Sequence, residues 1–245
     1  MAQETGSVIN VMKRYELKYL PDRGQTAWLV SRLKGYMEPD RYGLTTIASL
    51  YYDTPDRRLI RASLEKPEFK EKLRLRSYGP ATDESPVFLE LKRKASGIVY
   101  KRRVRTAIPE VRRFFAGENE LFEDRQINRE LNWFRDQYEP LEPACLIIYD
   151  RVAYYEPGGD LRLTIDFNPR YRTEALSLAG SMDGIPLRPD GDTVLEIKVQ
   201  GAMPLWLTAI LDEGQIYQSS FSKYGEAYRQ QHAAGGGYPI LRIAG

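Results

Sequence analysis

Cysteine and histidine are almost missing from this 245-residue chain, which has one of each. Cys145 lies in the apolar run ACLIIY, so neither a disulfide framework nor a thiolate metal cluster is available, and a buried small hydrophobe is the expected role. His232 stands in RQQHAAGGG near the C-terminus, which excludes a histidine-rich metal site and argues against a Ser-His-Asp triad. Long hydrophobic runs are also lacking. No stretch approaches the roughly 20 apolar residues of a membrane span, and MAQETGSVINVMKRYE at the N-terminus has no signal-peptide core. The cytoplasm is the expected location. Charge of one sign is not in excess either, because 36 Lys and Arg face 34 Asp and Glu, a net charge of +2. That balance argues against a nucleic-acid coat, so any basic feature must come from placement. With no long Pro/Gly/Ser linker and a hydrophobic content of 42%, residues 1–245 read as one domain with a substantial core.

What the chain does contain is a repeated face. In KEKLRLRSYG, Lys70, Lys72, Arg74 and Arg76 occupy every second position with Leu73 and Leu75 between them. A strand projects such residues from opposite sides. The same alternation sets Arg14, Glu16 and Lys18 on one parity in VMKRYELKYL. It sets Glu90, Lys92 and Lys94 against Leu89 and Leu91 in VFLELKRK, and Lys101, Arg103 and Arg105 against Tyr100 and Val104 in IVYKRRVR, where Arg102 breaks the pattern. LIIYDRVAY offers Tyr149 and Arg151, LRLTIDF offers Arg162, Thr164 and Asp166, and VLEIKVQG offers Glu196 and Lys198. With SLYYDT these make about eight strands. Helical stripes lie between them in RGQTAWLVSRLKGYM, PEVRRFFAG, DRQINRELNWFRDQY, PLWLTAILDE and SKYGEAYRQQ.

If those helices cover the apolar strand faces, the charged faces point at one another across the interior of a closed sheet. A charged interior is very costly without water or an ionic guest. The expected lining is cationic, with Glu16, Glu90, Asp166 and Glu196 as an acidic minority. Arginine forks and lysine ammoniums grip phosphate oxygens, and a few carboxylates among them suit a hard divalent cation bridging to phosphate. An ion pair with a neighbouring Arg or Lys is the plainer role for each carboxylate.

In their order along residues 12 to 226, RYELKYL, SLYYDT, KLRLRSYG, FLELKRK, YKRRV, YDRVAY, LRLTIDF, VLEIKVQG and FSKYG resemble the VTC-type polyphosphate polymerase domain, within the triphosphate tunnel, or CYTH-like, superfamily. The resemblance implies an α+β fold: a closed eight-stranded antiparallel tunnel with a charged interior and helices packed outside. It implies transfer of the ATP γ-phosphate onto a growing polyphosphate chain, with release of ADP and dependence on Mn²⁺ or Mg²⁺. Arg74, Arg76, Arg151, Arg162 and Lys92 would be catalytic. Arg14, Lys18, Lys72, Lys94, Lys101, Lys198, Ser222 and Lys223 would bind substrate, Glu196 would be the principal metal ligand, and Glu16 and Glu90 would be further ones. Arg14 stands where the CYTH pattern has a first glutamate, which favours the VTC branch. Two alternatives stay open: hydrolysis of triphosphates in the same tunnel, and a non-enzymatic polyphosphate or nucleotide binder. The implied partners are ATP and inorganic polyphosphate or triphosphate, without nucleic acid, and with a membrane protein as a conceivable export partner.

Overall fold

The computed structural model describes residues 14–234 except 66, 97, 120, 123 and 191. In chain order its elements are β1 (Arg14–Tyr19), α1 (Arg23–Leu33), β2 (Glu38–Pro39), β3 (Thr45–Asp53), α2 (Arg58–Leu64), β4 (Phe69–Tyr78), β5 (Val87–Ala95) and β6 (Ile98–Thr106). There follow α3 (Ile108–Phe115), α4 (Arg125–Gln137), β7 (Glu142–Tyr155), β8 (Arg162–Arg172), β9 (Ile185–Pro186), β10 (Val194–Gln200), α5 (Leu205–Glu213), β11 (Gln218–Ser219) and α6 (Lys223–Ala234). All pairings are antiparallel, in the order β11-β1-β10-β8-β7-β3-β4-β5-β6, with β2 on β7 and β9 on β8. No helix among the described residues is long and apolar enough to cross a membrane.

The alternation read from the sequence sets the two faces. On the outer face, Leu50, Leu73, Leu75, Leu89, Leu91, Leu146 and Ile148 pack under Val111 and Phe114 of α3 and Leu131 and Phe134 of α4. A second outer cluster joins Tyr19, Leu163, Ile165, Leu195, Ile197 and Val199 to Leu29 and Leu33 of α1 and Leu207, Ile210 and Leu211 of α5. Each such leucine withdrawn from water contributes about 1.5–3 kcal/mol. Local signals start the helices: Asp22 accepts from the Gln25 amide at 2.7 Å and Asp124 from the Gln126 and Ile127 amides at 2.8 and 2.9 Å.

Three expectations need correction. The eight long strands are joined by three two-residue strands, whose brevity leaves no period to read. The sheet is not closed by hydrogen bonds: among the described residues β6 ends the order at one side, and β11 occupies the free edge of β1 at the other, pairing with Lys18 and Tyr19. Nor do all helices lie outside. On the inner face Ile47, Tyr51, Cys145, Ile147 and Tyr149 of β3 and β7 pack against Tyr224 and Ala227 of α6 and Ile60 of α2, so this part of the interior is apolar. The reason lies in the inward residues themselves, which in these two strands are mostly uncharged and require a cover. Cys145 is buried here, as expected, and its burial pushes the thiol up to about 12.

Candidate functional site: the charged inner face

The inward side chains of β4, β5 and β6 converge on Glu90, which is 1% exposed. Its carboxylate lies 2.7 Å from Arg74, 2.6 Å from Lys101, 3.5 Å from Arg103 and 3.8 Å from Arg76. Strand register accounts for the cluster, because Glu90 is opposite Arg74 on one side and Arg103 on the other. Burial alone would raise the Glu90 carboxyl, but Arg74, Arg76 and Lys101 outweigh it and hold the pKa at about 2. Burial pulls the Lys101 ammonium down to about 8 against the opposing pull of Glu90. Two phenols on neighbouring strands orient the guanidiniums: Arg74 donates to the Tyr51 hydroxyl at 3.0 Å, and Arg76 to the Tyr149 hydroxyl at 3.1 Å and to Ser49 at 3.3 Å.

A second cluster lies on β1, β7, β8 and β10. Arg151 grips Asp166 with two hydrogen bonds of 2.5 and 2.8 Å, and Lys223, the first residue of α6, donates to the same carboxylate at 2.5 Å. Glu196 is 3.4 Å from Lys18, 3.5 Å from Lys198 and 3.9 Å from Arg151. Burial opposes ionisation of Glu196, yet Lys223, Lys18, Lys198 and Arg151 keep its pKa well below the usual carboxylate range. Glu16, more open than Glu196, lies 3.7 Å from Lys18 and 3.6 Å from Lys92.

Helix α6 joins these clusters to the fold. Ser222 Oγ accepts from the Gly225 amide at 3.2 Å, in the manner of a helix cap, and from Lys72 at 3.1 Å. Gly225 permits the close crossing over α2, since a Cβ there would stand 2.9 Å from Leu64 Cδ2. Tyr224 stacks on Tyr51 at 4.7 Å and donates to Asp53 at 2.8 Å.

Of the residues anticipated from sequence, Lys18, Lys72, Arg74, Arg76, Lys92, Lys101, Arg151, Lys198, Ser222, Lys223, Glu16, Glu90 and Glu196 make contacts within these clusters. Arg162 does not join them; it is exposed at the start of β8, with its guanidinium over the Tyr155 ring. Lys94 lies toward the end of β5, in register with Lys70. The Arg14 side chain lies outside the described residues. Sequence reasoning placed Arg103 and Asp166 on the right face without assigning them to the site. It set Tyr51 on one parity with Asp53, and Tyr149 with Arg151, without giving either phenol a role.

A curled antiparallel sheet with a cation-rich inner face, roofed at one side by a C-terminal helix, is the class of structure these contacts define. Residues 13–232 match the VTC domain, and the chain belongs to that family, with the triphosphate-tunnel, CYTH-like type of fold. Among solved structures, a candidate adenylate cyclase from Bacillus halodurans aligns with a TM-score of 0.54 at 17% identity, covering 86% of this chain and 96% of its own. One from Vibrio parahaemolyticus aligns with a TM-score of 0.51 at 13% identity, covering 88% and 97%. Both likenesses are of fold. No curated protein matches the chain.

Proposed function

We propose that this protein transfers the γ-phosphoryl group of ATP to the end of an inorganic polyphosphate chain, releasing ADP, on the charged inner face of its sheet. The observation that carries this reading is the gathering of cations from six strands and α6 around only a few carboxylates, which leaves a surplus of positive charge directed at one space. Membership of the VTC family supports it. The attacking terminal phosphate is already anionic, so its oxygen attacks the γ-phosphorus, the bond to the ADP oxygen breaks, and no general base is needed. Phosphoryl transfer then asks the protein for in-line positioning and charge neutralisation.

In this reading Arg74, Arg76 and Arg151, oriented by Tyr51, Tyr149 and Asp166, meet the developing γ-phosphoryl charge. Lys18, Lys92, Lys101, Lys198 and Lys223 align the flanking phosphates. Arg162 and Lys94 guide the chain at the rim. Glu90, already held by Arg74, Lys101, Arg103 and Arg76, fixes these cations and is a poorer metal ligand than the sequence suggests.

Among the described residues no group of three or more acidic, His or Cys side chains is arranged to hold a metal alone. Glu16 and Glu196 nevertheless supply hard oxygen donors on either side of Lys18, which suits Mg²⁺ or Mn²⁺ bound through one or two carboxylates and completed by phosphate oxygens. Such an ion would neutralise phosphate charge.

The test is incubation of purified protein with ATP and Mn²⁺. Acid-insoluble polyphosphate supports the proposal, and free phosphate without polymer replaces it with hydrolysis. Glu16, a third exposed beside its pairs with Lys18 and Lys92, is the carboxylate that would orient a water in that second reading.

A further inference from the structure

Lys72 differs from the lysines around it. Lys18 has Glu16 and Glu196, Lys92 has Glu16, Lys101 has Glu90, Lys198 has Glu196, and Lys223 has Asp166. Among the described residues no carboxylate lies within 4.0 Å of the Lys72 amine, whose hydrogen-bond partner is the Ser222 hydroxyl at 3.1 Å. That hydroxyl caps α6, so the amine faces the positive end of a 12-residue helix. The charges that weigh most on the amine are cationic: Lys18 from β1, Lys70 and Arg74 from its own strand, and from β5 Lys92, which is directly opposite in register. The carboxylate on this side, Glu16, is shared between Lys18 and Lys92.

We propose that Lys72 is the proton-coupled anion contact of the inner face: its amine takes up a proton as a phosphate chain binds, so that affinity for the anion falls as pH rises. The inference rests on the phosphate-binding reading above and adds to it the regulation of that site by pH. A half-buried amine with cationic neighbours and no carboxylate in contact is costly to charge, and a bound phosphate oxygen supplies the missing counter-ion. Burial first, then Lys18, Lys70, Lys92 and Arg74, push the Lys72 pKa down to about 7 in the free protein. The bound anion moves it up again. Below pH 7 the amine is charged before binding and no uptake follows. Above pH 7 each binding event draws in a proton until the pKa of the complex is reached.

Calorimetric titration of tripolyphosphate into the protein with EDTA present, at pH 7.5 in two buffers of different ionisation enthalpy, counts the protons exchanged. The terminal phosphates of the ligand titrate in the same range, so the informative quantity is the difference between proteins. The wild type is expected to take up about three quarters of a proton more than Lys72→Arg, whose guanidinium stays charged, or than Lys72→Met, which has no amine. Its affinity is also expected to fall more steeply between pH 7 and 9, by up to about tenfold per pH unit relative to either variant. Tripolyphosphate binding with the same proton count in all three proteins overturns the inference and leaves the phosphate-binding reading standing. Absence of binding by the wild type overturns both.

Discussion

Tyr224 and Asp53, separated by 171 residues in the chain, meet in a buried hydrogen bond of 2.8 Å from the phenol to the carboxylate. The other acceptor positions of Asp53 take the backbone amides of Thr54, Leu59 and Ile60 at 2.8, 2.9 and 3.0 Å. One carboxylate therefore holds the start of α2 and the first turn of α6, and through α6 it positions Ser222 and Lys223. Tyr224→Phe keeps the ring stacked on Tyr51 but leaves Asp53 one donor short. The expected loss is about 1–3 kcal/mol, read as a lower urea midpoint.

The Glu90 cluster sets a pH dependence of stability. A carboxyl lowered from 4.5 to about 2 on folding contributes stability that is fully present above pH 4.5 and lost as pH falls toward 2, about 3 kcal/mol over that range. Urea unfolding at pH 3, 4 and 7 is expected to show that loss. Glu90→Gln is expected to be destabilised at neutral pH by a similar amount, since four cations then face an uncharged amide, and to show a flatter slope below pH 4.5.

The parts of this architecture that were legible in the sequence are those written in alternation. Lys72, Arg74 and Arg76 against Leu73 and Leu75, or Glu196 and Lys198 against Leu195 and Ile197, declare both faces of a strand at once. Arg102 breaks that pattern for a reason visible only in three dimensions, since it turns outward to Glu130 of α4 at 3.0 Å. Arg93 joins it there, reaching both Glu130 and the buried Glu71, to which Tyr138 donates at 2.9 Å. A polar cluster clamping a helix to an otherwise apolar face has no periodicity to betray it. The inward packing of α6 was hidden differently: Tyr224 and Ala227 read as an ordinary amphipathic stripe, and nothing in a stripe says which side of a sheet it will cover. Closure was out of reach because it depends on how far the accumulated twist carries β6 toward β1.

Glu196→Gln separates metal-dependent chemistry from electrostatic binding. The substitution is nearly isosteric, and Lys18, Lys198 and Arg151 lose one counter-charge, so the anion is held as tightly as before or more so. Turnover of ATP as a function of Mn²⁺ concentration is expected to fall by about 100-fold or more, while calorimetry still detects tripolyphosphate binding without metal. Metal-dependent turnover at the wild-type rate would remove Glu196 from its assigned role.

Glu16 and Lys92 bear on the open seam. Their strands, β1 and β5, lie near opposite ends of the strand order, yet their side chains stand 3.6 Å apart. Among the described residues, side chains rather than backbone hydrogen bonds therefore draw the ends of the sheet together. The lysine is 46% and the glutamate 33% exposed, so the pair contributes about 1 kcal/mol at most and weakens with salt. Hydrogen exchange is thus expected to be fast at the β6 amides that face away from β5 and slow along β8, which has a long strand on each side. A phosphate chain lying between Lys18 on one side and Lys92 and Lys101 on the other would bridge the same gap with several charge-assisted contacts in place of one weak pair. Tripolyphosphate is therefore expected to slow exchange in β6 and β1 selectively, by about tenfold or more, while leaving the α3 and α4 amides unchanged. Equal protection across all elements would show general stabilisation by the ligand, and would mean that the anion does not span the seam.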